Sequence, residues 1–529
     1  MLVDKALNER AGTRKVWVQH PVFLSLALIA VIIFAAHFLR VRNFGMYLDE
    51  YLFIGAWMDA EPQQIVNNFQ TVFVRLPQGR PLLFSIPQAL AASITPQFGI
   101  QGLYVIGYSI VVITAGAMML FVRRLSGSLR AGVVAALIYV LLPADTTHAL
   151  NIHTIGIQPG MLLLTLAAWA YIDDRRVLAY LLLVPILFLY ESPFTVFFVV
   201  PFLKKNWRWR DLLVNAAIIL TALALVYLLR QSVADPRVTA LNFSVAAQRS
   251  VIATGWGALL SLSAYPRAFN SVLNSLRPDT LLAVGATFAI LVVAFTALKR
   301  ERVPIRLLWV GVLALGCSYL LSFTRFPPTL NSGVSTSQHI AGGFGMALIG
   351  ASLWSLFPSR LILAGFLALL VGYGVVIQRE YVLSWNDQRE FWQAIFPLIQ
   401  DADDSTIVLV DAENLRFTRD IQSHGFHSAF VFESSFSIPD DWTNPPHVLL
   451  TSSVRNFQVV PRQTQWVVRY GAWEFPIQNG NVIYIDYEDG RFARRTESTV
   501  QVSGFSLRTK IPGAAISLPT RPLYSLLME

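Results

Sequence analysis

Two adjacent carboxylates, Asp49 and Glu50, stand in Met46-Tyr47-Leu48-Asp49-Glu50-Tyr51-Leu52-Phe53, shortly past an apolar stretch at 22–39. Charge near hydrocarbon is costly, so acids placed there sit at a water interface or serve a purpose. Such a pair is a candidate general base or cation ligand. Candidate partners for an anion such as phosphate are Arg75 and Arg80, in Arg75-Leu-Pro-Gln-Gly-Arg80-Pro81, together with Arg325 and His339. Glu191, in Tyr190-Glu191-Ser192-Pro193, is an acid at the apex of an apolar hairpin. His148 and His153 lie in a short polar loop at 144–156. Each has a plainer reading. The acid pair would favour a helix N-terminus, the arginines would anchor at an interface, Glu191 would cap a helix, and the histidines would be satisfied loop residues.

The elements that must position these residues are apolar. Of 529 residues, 54% are hydrophobic and 14% charged, against roughly 25% charged in soluble domains. Apolar runs near the roughly 20 residues needed to cross a bilayer recur along the chain, which makes it a polytopic α-helical membrane protein. The net charge of +9 resides between those runs, as in cytoplasmic loops, and does not imply nucleic acid. The single cysteine, Cys317, lies within an apolar run and reads as a small buried hydrophobe. No zinc-type ligand spacing occurs.

The run at 22–39 is too long for a signal-peptide core and reads as an uncleaved first span with a cytoplasmic N-terminus. Spans follow at 101–122, 131–143, 157–172, 177–190, 194–203, 212–230, 279–298, 305–323, 339–357 and 360–377. Basic residues then fall on the inside (Arg123, Arg124, Arg130, Arg175, Arg176, Lys204, Lys205, Arg208, Arg210, Lys299, Arg300, Arg302, Arg306 and Arg360), as the positive-inside rule requires. This gives about eleven spans in a module at 1–384, with a long first outer loop at 40–100. That loop carries helix-like stretches at 50–58 and 63–74, and 81–95 is a candidate re-entrant segment. A second long outer loop, 231–278, holds Arg237, Arg249, Arg267 and Arg277. Asn242-Phe243-Ser244 matches a glycosylation acceptor pattern that a chain this long meets by chance.

From 385 the composition changes. A helix along the membrane is expected over 385–400, starting at Trp385. A small extracytoplasmic α/β or β-rich domain is expected beyond it, within 385–529. Thr406–Val410 and His447–Thr451 read as strands, and Asn479-Gly480 and Asp489-Gly490 as hairpin turns.

A nucleoside-triphosphate loop, G-x-x-x-x-G-K-[ST], is absent from the sequence, so an activated donor for an outward-facing base would be lipid-borne. Together, the first span, the Leu48-Asp49-Glu50-Tyr51-Leu52-Phe53 run opening a long outer loop, Gly79-Arg80-Pro81-Leu82 at its end and the multi-span body resemble the GT-C superfamily of integral-membrane glycosyltransferases. This superfamily includes protein O-mannosyltransferases and lipid A aminoarabinose transferases. The resemblance covers most of 1–400 and none of the C-terminal region.

It implies a polyprenyl-phosphate-linked sugar donor, inversion at the anomeric carbon and a glycan, lipid or protein acceptor. Asp49 would be the general base, and Glu50 would orient the site or support a metal. Both Mg2+ or Mn2+ dependence and metal-independent transfer stay open. The expected location is the bacterial inner membrane. Two other classes share the pattern. One is a lipid-linked glycan flippase or transporter, and the other is a glycan polymerase or ligase using a polyprenyl-diphosphate donor and the arginines of 231–278.

Overall fold

The structure, a computed structural model, describes residues 21–529 apart from 76–78, 234, 236–237, 239–241, 322–327, 331–332, 357–358, 412–429, 452–457, 463–464, 471–472, 479 and 503–504. Arg325 and Arg237 lie outside the described residues. The chain packs as two units. The first holds 1–41, 68–86 and 104–379, and the second holds 42–67, 87–103 and 380–529. The C-terminal strands therefore share a unit with Asp49 and Glu50.

Six helices among the described residues are long and apolar enough to cross a membrane: Pro21–Asn43, Pro81–Ser126, Asn151–Ile172, Trp209–Ser232, Pro278–Ala297 and Arg360–Ile399. Five shorter apolar helices accompany them: Leu129–Val140, Arg176–Leu189, Ser192–Leu203, Arg306–Cys317 and Gly342–Leu356. Six, not eleven, thus reach crossing length. They show apolar side chains to their surroundings, most densely on Trp209–Ser232 and Pro278–Ala297. Leu213 is 66% exposed, Leu225 62%, Leu282 74% and Val293 71%. Rows of exposed apolar side chains on this scale need a nonaqueous neighbour, and a lipid bilayer supplies one.

Charge marks the two ends of the first unit. At one end Arg40 and Arg379 both bind Asp279, the latter at 3.0 Å. At the other, Arg130 lies within charge-interaction range of Arg300 and Arg360. Arg360 and Arg379 share one helix, and a rise of 1.5 Å per residue separates them by about 28 Å. That matches the roughly 30 Å of a hydrocarbon core.

Close packing between helices depends on missing side chains. A Cβ on Gly345 would come within 2.5 Å of Leu315 N and 2.7 Å of Gly311 O. The helices Arg306–Cys317 and Gly342–Leu356 therefore touch backbone to backbone, as small residues allow in membranes.

Several expectations change. The segment 231–278 is largely one helix, Phe243–Asn274. The side chain of Asn242 caps it, accepting from the N–H groups of Ser244 and Val245; a glycosylation-like pattern is here a helix start. The segment 40–100, expected to be the first outer loop, is mostly helical, with Glu50–Phe53, Pro62–Arg75 and the start of Pro81–Ser126, which breaks at Gly99. No helix begins at Trp385, because Arg360–Ile395 is continuous. Its polar residues are satisfied by neighbours: the Gln378 amide donates to Ala36 O at 2.8 Å, and Arg379 meets Asp279.

The C-terminal strands are β1 (Ile407–Asp411), β2 (His447–Leu450), β3 (Gln458–Arg462), β4 (Gln465–Tyr470), β5 (Trp473–Ile477), β6 (Val482–Glu488), β7 (Arg491–Arg494), β8 (Thr499–Val502) and β9 (Phe505–Arg508). They form a sheet of order β2-β1-β6-β7, a sheet β3-β4-β5 and a β8-β9 ribbon. β1 lies parallel to β2 and to β6. One apolar cluster, including Leu409, Leu449, Val468, Phe475, Val500 and Leu507, joins strands of all three. Asp489-Gly490 makes the hairpin between β6 and β7, with φ of 50° and 77°, as a primed turn requires. The Asn479-Gly480 turn lies between strands of different sheets and makes no hairpin; Asn479 is outside the described residues.

Candidate active site

In the second unit, the segment 44–51 is buried except at Asp49, which is half-exposed. Tyr47 and Tyr51 pin it. The Tyr47 hydroxyl donates to Tyr381 O at 3.0 Å, and the Tyr51 hydroxyl to Gln388 Oε1 at 2.5 Å. The Tyr47 ring stands edge-on to Tyr381, with centroids 4.9 Å apart. Glu50 turns inward. It is fully buried, and its Oε2 accepts the Tyr47 N–H at 3.0 Å, closing its own turn as an N-terminal glutamate does. The helix it opens, Glu50–Phe53, is a single turn, too short for a sizeable dipole.

Leu48, just before the pair, has φ of 53°. A branched L-residue there costs on the order of 1–2 kcal/mol, and such strain persists where the surroundings enforce it. Burial divides the pair that follows: Glu50 is fully buried and Asp49 only partly. Among the described residues no group of three or more His, Cys, Asp or Glu is placed to hold a metal.

Residues that the sequence reading passed over lie beside this segment. Ser384 Oγ and Gln388 Nε2 are buried one helical turn apart with no hydrogen-bond partner among the described residues. Each costs energy unless something polar meets it. Polar residues at i and i+4 amid Tyr381, Trp385 and Phe391 were the available signal.

In the first unit, Gly79-Arg80-Pro81 meets Glu191. Arg80 donates through Nε at 2.8 Å and Nη2 at 2.6 Å to the two carboxylate oxygens, and its guanidinium lies over the Tyr190 ring at 4.5 Å. Arg230 approaches the same carboxylate at 3.4 Å and donates to Gly79 O. Gly79 has φ of 64°, and a Cβ there would fall 2.1 Å from Arg230 Nε. Pro81 then opens the next helix at a position that suits it. Burial alone would raise the Glu191 carboxyl, but the guanidiniums of Arg80 and Arg230 outweigh it and hold it well below the usual carboxylate range. Glu191 is thus an ionised clamp for two arginines rather than an acid or base. Arg230, a cation in the last turn of an apolar helix, was legible by its cost in lipid.

A third cluster surrounds the loop after Val140. The rings of His37 and His148 stack with centroids 3.9 Å apart, and His37 Nε2 donates to Val140 O at 2.8 Å. Asp145 accepts from the N–H and hydroxyl of Thr147; burial raises its carboxyl and lowers His148 to about 4. His153 is buried in the helix Asn151–Gly156, within charge range of Asp145. The amide of Asn151 is fully buried and has no partner among the described residues.

His339 is fully buried, with its Nε2 against Thr329 O at 2.9 Å and its Nδ1 against the Tyr319 hydroxyl at 2.6 Å. Both ring nitrogens are engaged, so holding a phosphate would require exchanging one of these bonds. Arg75 ends the helix Pro62–Arg75. The expected site residues thus fall into separate groups: Asp49 with Glu50, Arg80 with Glu191, His153 near Asp145, and His339 with Tyr319.

No family model, no curated protein and no solved structure matches this chain.

Proposed function

We propose that the protein is an inverting glycosyltransferase that moves a sugar from a polyprenyl-phosphate carrier to an acceptor nucleophile outside the cytoplasm. The observation that carries this reading is Asp49: one accessible carboxylate in a buried, strained and tyrosine-pinned segment. Asp49 takes the proton of the acceptor hydroxyl or amine as that atom bonds to the anomeric carbon. The bond from the anomeric carbon to the phosphate oxygen breaks, and the polyprenyl phosphate leaves as an anion. Glu50 fixes the turn that presents Asp49. Arg75, Arg80, Glu191, Arg325, His339 and His153 are candidates for the donor side. The fuller topology belongs to this reading: eleven crossings, which require the five short apolar helices to span too, with the N-terminus cytoplasmic, the strand domain outside and the bacterial inner membrane as the site.

One observation favours a second reading. The apolar helices Arg176–Leu189 and Ser192–Leu203 are broken at a buried, paired Glu191, and transporters place ionisable groups at such breaks. A lipid-linked glycan flippase would use Glu191 and leave Asp49 idle.

Purified protein given a labelled polyprenyl-phosphate monosaccharide and a mixed acceptor pool separates these. Sugar transfer abolished by Asp49→Asn supports the enzyme. Label moving across a vesicle with its phosphate bond intact supports the flippase. Transfer of a block from a diphosphate carrier instead supports the polymerase. Full transfer by folded Asp49→Asn protein sinks the base assignment.

A further inference from the structure

A cavity of about 760 Å3 opens at the basic end of the first unit. Several helix ends meet there: Ile172, Arg176, Leu203 and Arg306 all line it, along with the Lys204–Asp211 segment. Three of its cations are neutralised. Lys204 pairs with Asp174, Arg176 with Asp211 at 2.7 Å, and Arg124 with Asp173 at 3.3 Å. Lys205, Arg208, Arg210 and Arg306 also line it and have no acidic partner among the described residues. The Nε of Arg306 is buried there without a hydrogen-bond partner. Four unneutralised cations around one concavity repel each other and focus a field that attracts an anion.

The rim indicates which anion. Val214 lines the cavity, and its helix carries Trp209 at 68% exposure and Leu213 at 66%. The Trp207 and Trp209 rings meet edge-on, with centroids 5.1 Å apart. Exposed tryptophan beside basic residues marks the headgroup level of a bilayer. The cavity therefore combines a polycationic pocket with an adjoining apolar strip. A soluble phosphate would use only the first; a phospholipid would use both, its chains along the strip.

We propose that this cavity binds the phosphate headgroup of an anionic phospholipid, at a site independent of sugar transfer. The positive-inside bias explains basic loops, but it does not require them to enclose a cavity.

The test is native mass spectrometry of the full-length protein offered phosphatidylglycerol, phosphatidylcholine or inorganic phosphate. The wild type is expected to retain phosphatidylglycerol in preference to phosphatidylcholine. The combined variant K205Q/R208Q/R210Q/R306Q should lose roughly a thousandfold in that affinity, while Arg491→Gln, at an exposed position of β7, leaves it unchanged. Equal retention of the two lipids by the wild type overturns the assignment, as does displacement of the lipid by inorganic phosphate. Undiminished retention by the combined variant does the same. If that variant does not fold, the wild-type comparison of the two lipids and phosphate still decides.

Discussion

Asp49 and Glu191 both stand where an apolar helix has ended, but the chain treats them in opposite ways. Glu191 meets two guanidiniums, an aromatic face and a glycine shaped to admit them. Asp49 has a left-handed leucine before it and an inward-turned glutamate after it, and is the one residue of its segment left half-exposed. A carboxylate saturated by cations stabilises structure and gives up its proton chemistry. One that is partly exposed on a strained turn can be reached by an acceptor, and the strain weakens the fold slightly. The contrast separates the two acids by role even though both looked like expensive charges.

The contrast breaks if the roles are not separable by substitution. Asp49→Asn is expected to lower transfer by roughly 10²–10⁴-fold, the usual worth of a positioned base, with no change in melting temperature; activity and thermal unfolding are measured on the same sample. Glu191→Gln should instead lower stability, by about 3–5 kcal/mol, because buried arginines lose their counter-charge. An unfolding curve in denaturant reads it, and an unshifted midpoint would remove the clamp assignment. Gly79→Ala should cost about 1–3 kcal/mol, through an unfavourable φ and displacement of Arg230. Its sign is checked by whether Gly79→Ala adds to Arg230→Gln; strong non-additivity is expected because the two share one contact.

The smallest effect sharpens the comparison with clamped carboxylates in water. Arg494 holds Asp401, and Lys510 holds Asp403 at 2.5 Å. Burial pushes these carboxyls up, but the cation hydrogen bonds bring them below the ordinary value of 3.8. A depressed folded pKa gives stability that is complete above the unfolded value and lost as pH falls through the folded one. Protection factors of the β1 and β6 amides in the full-length protein, with the intrinsic pH dependence of exchange divided out, should therefore stay level from neutral pH to about 3.8 and fall only below it. A fall in protection near neutral pH would count against the two pairs.

What the sequence disclosed follows the range of the forces involved. Ile407–Asp411 and His447–Leu450 were legible because short apolar runs form buried strands, and Asp489-Gly490 because its turn is local. The helix Arg360–Ile395 was not legible through its polar middle, since Gln378 and Arg379 are satisfied by Ala36 and Asp279, far away in sequence. Phe243–Asn274 was hidden by its exposed arginines and by Pro266 inside it. At the site, the acid pair was visible as a cost in charge. Its division was not, because the φ of Leu48 and the reach of Glu50 to Tyr47 are set by the fold. Arg230 stood out as a cation in an apolar helix, but its pairing with Glu191 was not legible, because that partner is far away in sequence.

The contact at Gly311 and Gly345 has a mechanical side. Those two helices bracket the segment 318–341, which carries Tyr319, Arg325 and His339. Since the backbones already touch, the separation of the segment's two anchors sits at its minimum, and any side chain at Gly345 can only widen it. A methyl group placed among apolar helices would thus act as a spreader on Tyr319 and His339, within two turns of the contact, and would strain the hydrogen bond between them from the membrane interior.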